Sequence, residues 1–345
     1  MALPLDLHEL EEQARQLLQR EVYDYIAGGA MDEVTLEDNV AAWSRKRLRP
    51  RVLRDVADVR VDTTVLGRPV AHPIGVAPTA FHRLVHPDAE PATAAGAADA
   101  GAIYTMSTRS TTPLEEVAAA TGAAPWWLQL YVLREQSFSD LLVDRAVAAG
   151  ASAIVLTGDT PVLGRRLRDL RNNWIVPTDV GVIESFQLAG DGAEQSASLT
   201  FDAVARIVER AKVPVVVKGV LRGDDARRCV DAGASAIWVS NHGGRQLDGA
   251  IATAEALAEV VDAVGGGTVE VYVDGGVRRG TDVLRALAIG ATAVFVGRPV
   301  VWGLTVGGRD GVRGVLDGLV DELILSMALA GCATVTDVTR DLLAT

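Results

Sequence analysis

Ala236-Ile237-Trp238-Val239-Ser240-Asn241-His242-Gly243-Gly244-Arg245-Gln246-Leu247-Asp248-Gly249 is an apolar run that turns abruptly into polar residues and glycines. Four consecutive apolar side chains without alternation fit a strand buried on both faces, as in parallel sheets. The histidine that follows, two glycines that open the backbone and an arginine three residues on place a base and a fixed cation on one side of a cavity. Such a layout suits proton removal from an anionic substrate. A lone histidine in a glycine-rich turn is more often a satisfied structural group, so the functional reading draws its weight from the rest of the chain.

Seven further apolar runs of similar length recur, at 74–78, 103–108, 126–132, 153–159, 214–220, 269–276 and 293–299. Each is rich in Val, Ile or aromatic residues, and most precede a stretch of helical periodicity such as Asp224 to Ala232 or Thr281 to Ile289. Eight buried strands alternating with helices predict an α/β fold, a (β/α)8 TIM barrel with an N-terminal helical extension, as one domain over residues 1–345. Chemistry in such barrels sits at the carboxyl ends of the strands. Polar residues cluster there in this sequence: Pro78-Thr79-Ala80, Ser107, Gln129-Leu130-Tyr131, Thr157-Gly158-Asp159, Lys218-Gly219, His242, Asp274-Gly275-Gly276 and Gly297-Arg298.

The 345 residues carry 33 Lys and Arg against 45 Asp and Glu, a formal charge of -12, which argues against general affinity for nucleic acid or an anionic membrane. The two cysteines, Cys229 and Cys332, fall in stretches that read as helical and lack Cys-x-x-Cys spacing, so reduced thiols in a cytoplasmic protein are expected. Six acidic and basic groups within residues 1–20 leave no signal peptide or membrane span there.

Several features have two readings. Leu10, Ala14, Leu17, Leu18, Val22 and Tyr25 recur at helical spacing and predict an amphipathic helix from Leu5 to Tyr25, packed outside the barrel. The basic run RKRLRPRVLRDV, residues 45–56, lacks interleaved aromatic residues and reads as a solvated helix and turn rather than a nucleic-acid patch. His82 and His86 have a metal-ligand spacing but no third ligand follows, and Pro87 breaks the helix, so no metal is expected. Tyr131 lies two residues beyond Gln129 and shares its face, pointing into the cavity; by the same rule Arg109 shares a face with Ser107 unless the chain bends there. Asp159 at a buried strand end is costly unless paired, and His242 two strands away is a natural partner. Lys218 at the end of an apolar strand needs a negative partner, or else it is a Schiff-base lysine. Gly275, Gly276, Arg278, Gly297 and Arg298 form a phosphate-binding arrangement, a signal many barrels share. The Gly-, Ala- and Ser-rich segment 175–200 has no strong periodicity and reads as a lid over the mouth.

The chain resembles the FMN-dependent L-2-hydroxy acid oxidases and dehydrogenases over nearly its whole length. The resemblance rests on SNHGGRQLDG at 240–249, DGGVRRGTDV at 274–283, VGRPVVW at 296–302, GDTPVLGRR at 158–166, QLY at 129–131 and YDYIAGGA at 23–30. It implies FMN as cofactor. The backbone of Pro78, Thr79 and Ala80 would lie against the flavin, with Ser107, Gln129, Thr157 and Ser240 around it and Asp274, Gly275, Gly276, Arg278, Gly297 and Arg298 towards the phosphate. Lys218 would stabilise the reduced flavin. His242 would be the base, oriented by Asp159; Arg166 and Arg245 would clamp the substrate carboxylate, with Tyr25 and Tyr131 positioning the substrate.

The family uses the segment from Val34 to Leu66 to close the barrel bottom and for subunit contacts, which implies a homotetramer or homo-octamer. The implied reaction is oxidation of an L-2-hydroxy acid to the 2-keto acid, with O2 as acceptor and H2O2 as product; a dehydrogenase or a lactate-type monooxygenase would use the same site. A non-redox FMN isomerase would share the phosphate site but has no need of His242 with paired arginines. Arg109 departs from the bulky apolar residue of glycolate oxidase, and points to a substrate larger than glycolate with a polar or aromatic-polar side chain.

Overall fold

Asp6 starts the first helix by accepting the N–H groups of His8 and Glu9 at 2.9 and 2.8 Å, two of the donors that a helix start leaves without partners. In this computed structural model, residues 6–177, 180, 194–264 and 269–344 are described. The expected continuous helix from Leu5 to Tyr25 is two helices, α1 (Leu7–Leu17) and α2 (Arg20–Ala27), because Leu18 and Gln19 are extended. The break lets the apolar pattern serve two surfaces. α1 packs on the long C-terminal helix, whereas α2 turns in to bury Tyr25 and Ile26 at the barrel mouth rather than outside it.

α3 (Val34–Arg45) follows, then an extended strap. The basic run is therefore helical only at Arg45; beyond it Arg49 and Arg51 donate their backbone N–H groups to the carbonyls of Leu342 and Ala330. A proline and a lack of any apolar face leave the strap no reason to coil. The antiparallel hairpin β1 (Thr63–Val65) and β2 (Arg68–Val70) closes the bottom of the barrel, where Leu66 N–H bonds to Glu270. The expectation of bottom closure holds for this hairpin and fails for α3, which packs at the opposite end against the turn carrying His242.

Among the described residues eight parallel strands close into a barrel in chain order. They are β3 (Ile74–Val76), β4 (Tyr104–Met106), β5 (Trp126–Leu130), β6 (Ala153–Thr157), β7 (Val215–Val220), β8 (Ala236–Val239), β9 (Glu270–Val273) and β10 (Ala293–Val296). Each expected run contains one of them. The interior is filled by Trp127, Trp238, Tyr272 and Phe295, with Trp238 and Phe295 rings 4.0 Å apart at their centroids. This aromatic floor leaves no channel through the barrel and confines any ligand to the upper end.

The outer helices are α4 (Ala89–Asp99), α5 (Leu114–Thr121), α6 (Gln136–Ala148), α7 (Leu167–Arg171), α8 (Phe201–Ala211), α9 (Gly223–Asp231), α10 (Thr253–Val264), α11 (Gly280–Ile289) and α12 (Arg298–Ala330). α12 is broken at Gly307 and Gly308, whose backbone leaves the helical region. Cys332, expected in a helix, lies just past the left-handed Gly331 that ends α12. Both cysteines are buried thiols. Most of the segment expected as a lid lies outside the described residues. Among the described residues no helix is long and apolar enough to cross a membrane.

Candidate active site

The carboxyl ends of the strands surround a cavity of about 390 Å³. Its wall includes Tyr25, Pro78, Thr79, Ala80, Ser107 and Arg109. Gln129, Tyr131, Thr157, Arg166, Lys218, His242 and Arg245 also line it, as do Asp274, Gly275, Gly276, Arg278, Gly297 and Arg298. Of the residues singled out in the sequence, Asp159 and Ser240 stand just behind this wall and touch it through His242 and Lys218.

His242 Nδ1 lies 2.9 Å from Asp159 Oδ1. An ionised carboxylate only accepts, so the hydrogen sits on Nδ1 and the Nε2 lone pair is left facing the cavity. Nε2 is 3.5 Å from the Tyr131 hydroxyl. Burial, then the charge of Asp159, pushes the Tyr131 hydroxyl above its ordinary range, so it stays a proton donor at working pH. Burial also works to raise the Asp159 carboxyl, but the charge and hydrogen bond of His242 outweigh it and hold the group below its ordinary value. Thr160, which the sequence reading passed over, donates to Asp159 Oδ1 at 3.0 Å and lies 3.3 Å from His242 Nδ1. Asp159 can approach because β7 bulges at Gly219, φ +101, where an added Cβ would meet the Asp159 side chain at 2.6 Å.

Arg245 and Arg166 converge on the Tyr25 ring, 5.0 and 5.9 Å from its centroid. Trp174, also missed in the sequence, stacks on that ring at 5.3 Å and fixes its plane. Arg245 Nη1 donates to the carbonyls of Tyr25 and Gly28 at 2.7 and 2.9 Å, which uses both its hydrogens and leaves Nε and Nη2 for an anion. Burial, then repulsion from Arg166, lowers Arg245 to about 10, so it remains a cation at neutral pH. Arg166 Nε is buried with no partner among the described residues, and its guanidinium is 3.8 Å from Asp169. Two cations facing one carboxylate leave room for an anionic guest. Arg109 also faces the cavity, 6.0 Å from the Tyr131 ring centroid.

The other half of the cavity fits FMN. Lys218 is buried, and its Nζ donates to Ser240 at 2.7 Å and pairs with Asp274 at 3.1 Å, which meets the demand for a negative partner. Ser107, Gln129 and Thr157 form a chain, with Ser107 Oγ donating to Gln129 Oε1 at 3.3 Å and Gln129 Nε2 to Thr157 at 2.9 Å. At the far end Arg278 and Arg298 are lowered chiefly by burial, Arg298 to about 9 with Arg245 and Arg278 adding repulsion. Beside them Gly275 and Gly276 have φ of +97 and +75. A dianionic phosphate would relieve that repulsion, and the glycine backbone is open to receive it. Arg298 does more than the sequence suggested, since it also donates to the carbonyls of Ile26, Gly28 and Gly243.

An added Cβ at Gly276 would fall 1.9 Å from the Asn39 carbonyl oxygen. Gly276→Ala is therefore expected to combine left-handed strain of about 1–2 kcal/mol with overpacking of about 1–3 kcal/mol. Thermal unfolding and retained flavin absorbance measure this against Gly249→Ala, a control at φ +82 with open space around it. Equal effects in the two variants would show that contact with α3 is unimportant.

His82 serves structure. Its ring nitrogens lie 2.5 Å from Thr79 Oγ1 and 2.9 Å from Thr93 Oγ1, while His86 sits apart near Asp88.

A model of the FMN-dependent dehydrogenase family matches residues 14–345. L-lactate oxidase from Nostoc sp. is 46% identical over 353 residues, covering 97% of this chain and 96% of its own. The 4-hydroxymandelate oxidase of Amycolatopsis orientalis is 47% identical over 344 residues, covering 96% of each. A crystal structure of mandelate oxidase superposes with a TM-score of 0.93 at 47% identity, covering 98% of this chain and 97% of the other. Likeness of sequence and of backbone thus runs through almost the entire length, barrel and N-terminal helices alike, and the chain belongs to the FMN-dependent dehydrogenase family, flavoenzymes that oxidise 2-hydroxy acids.

Proposed function

We propose that the chain oxidises an L-2-hydroxy acid to the 2-keto acid and passes the electrons to O2, giving H2O2. The observation that carries this reading is His242, whose Nε2 faces the same cavity as the guanidiniums of Arg166 and Arg245 while Nδ1 is tied to Asp159 at 2.9 Å. A base beside an anion clamp selects a substrate with a carboxylate one carbon from its acidic hydrogen.

When bound, FMN supplies the acceptor for the two electrons of the α-carbon–hydrogen bond. Arg166 and Arg245 hold the carboxylate and fix the α-carbon. Tyr131 donates to the substrate hydroxyl oxygen. His242 Nε2 takes a proton from the substrate, and Asp159 stabilises the resulting imidazolium through Nδ1–H. Lys218, paired with Asp274 and Ser240, places positive charge beside the cofactor. Anaerobic addition of an L-2-hydroxy acid should bleach the flavin, and air should restore it with one peroxide per keto acid. Fast bleaching with slow recovery in air would refute O2 as acceptor; no bleaching would refute the reaction.

The substrate side chain is larger than that of glycolate and ends in an aromatic-polar group. Arg109 at the cavity wall supports this, as does similarity to a 4-hydroxymandelate oxidase. Replacing Arg109 by leucine should shift preference from 4-hydroxymandelate towards mandelate by about tenfold, the worth of a hydrogen bond to a charged donor. An unchanged ranking among lactate, mandelate, 4-hydroxymandelate and malate would remove Arg109 from selection. A homotetramer or homo-octamer is part of the reading, supported by exposed Val52, Leu53, Leu325 and Leu329 near the strap and the end of α12; light scattering tests it.

A further inference from the structure

His242 has φ +59 and is followed by Gly243 at +64 and Gly244 at +75, so the turn carrying the base is left-handed at three consecutive residues. For histidine that backbone costs about 1–2 kcal/mol, and it persists only where surrounding contacts fix it. Inside the turn the His242 N–H donates to Ser240 Oγ, and the Gly244 N–H to both the Asn241 carbonyl and the Asn241 side-chain Oδ1, each at 3.1 Å. That oxygen must keep facing Gly244. A residue 202 positions away ensures this, because Asn39 Nδ2 donates to Asn241 Oδ1 and Asn241 Nδ2 donates back to Asn39 Oδ1, both at 2.8 Å. Asn241 Nδ2 also reaches the Ile251 carbonyl at 3.1 Å, and Asn39 Oδ1 accepts the Thr253 N–H at 3.3 Å. Both side chains are buried, so water does not compete for these bonds.

The same helix reaches the phosphate end of the site. The Asn39 carbonyl packs on Gly276, and Trp43 donates its indole N–H to the Gly275 carbonyl at 2.8 Å. Asp248 at the far end of the base loop accepts the N–H groups of Asp32 and Thr35 at the start of α3, at 3.0 and 2.9 Å. The first residues of α3 and its middle thus hold both ends of the loop from 241 to 250, while its last turns hold the glycine cradle.

We propose that Asn39 is a positioning residue for His242, acting through Asn241, while Trp43 on the same helix separately supports the cofactor cradle. The inference rests on His242 being the base. Asn39→Ala should keep FMN, leave substrate affinity within about threefold and slow anaerobic flavin reduction about 10²-fold, the loss that a misplacement of about 1 Å produces. In a His242→Ala background the same change should cost less than about twofold, because the group it positions is gone. Trp43→Phe should instead weaken FMN binding and leave the reduction rate of bound flavin unchanged.

Asn39→Asp preserves volume and carries the test if the alanine variant fails to fold. A carboxylate at 39 draws Asn241 Nδ2 towards it and takes Oδ1 from Gly244, so slow reduction is again expected. Wild-type reduction in whichever variant folds, or the same fold-loss with and without His242, would overturn the proposal. So would loss of the fold in both variants, which would assign Asn39 to stability. A His242→Ala enzyme that still reduces its flavin would overturn the reading of the base, a result distinct from any of these.

Discussion

His242→Ala is expected to yield a yellow, folded holoenzyme whose flavin is reduced by an L-2-hydroxy acid about 10²–10⁴ times more slowly than in the wild type, the usual contribution of a positioned general base. The cofactor should stay because the residues suited to hold it stand on other strand ends: Lys218 on β7, Gly275 to Arg278 after β9, and Gly297 and Arg298 after β10. The loss should appear in the reduction step more than in binding, since Arg166 and Arg245 remain to hold the carboxylate.

A second signature follows from Asp159. In the wild type its carboxyl lies below the ordinary value of 3.8 because His242 outweighs burial. A depressed carboxyl contributes stability above that ordinary value and loses it as pH falls through the lowered one. Without His242 burial prevails and the carboxyl rises, so the variant should lack this contribution and its stability should fall less on acidification than that of the wild type. Reduction at near wild-type rate in the variant would remove His242 from the chemistry.

Arg166→Met and Arg245→Met are expected to weaken substrate binding and slow flavin reduction, each costing about 2–5 kcal/mol as a buried, charge-assisted contact to an anion is lost. Their stabilities should differ. Arg245 Nη1 holds the carbonyls of Tyr25 and Gly28, so its removal also frees the end of α2 and should lower the unfolding temperature. Among the described residues Arg166 has a buried Nε without a partner, a loose contact with Asp169 and the face of the Tyr25 ring, so Arg166→Met should fold as well as the wild type or better. Titration of the oxidised flavin spectrum with a 2-keto acid gives affinity, and thermal unfolding gives the contrast. Normal affinity in either variant would reassign that arginine to structure.

The barrel was legible in the sequence because a parallel strand buried on both faces has to be continuously apolar, and Ala236 to Val239 or Ala153 to Thr157 admit no other economical reading. The polar ends of those runs located the site for the same reason, since a strand's direction and the barrel's closure send every carboxyl end to one mouth. His242, Asp159, Lys218 and Arg245 stood out because each carries a charge or a proton that is costly to bury, whereas Arg166 was named from the family resemblance.

What the sequence by itself determined was therefore the barrel, its mouth and the charged residues at the strand ends, which follow from local patterns of burial and charge, while the roles of Tyr25 and Arg166 came from the family motifs. Which end of the barrel α3 covers was decided only by the tertiary structure, because an amphipathic pattern specifies that a helix has a buried face and not what that face meets. The same holds for the split of the first helix at Leu18 and Gln19, where the apolar spacing continues through a break. Asn39 carries no charge and no periodic signal, Thr160 is masked by its neighbour Asp159, and Trp174 looks like any packing residue. Their roles come from partners 202, 82 and 149 positions away, at Asn241, His242 and Tyr25, and only the folded chain brings those partners within contact distance.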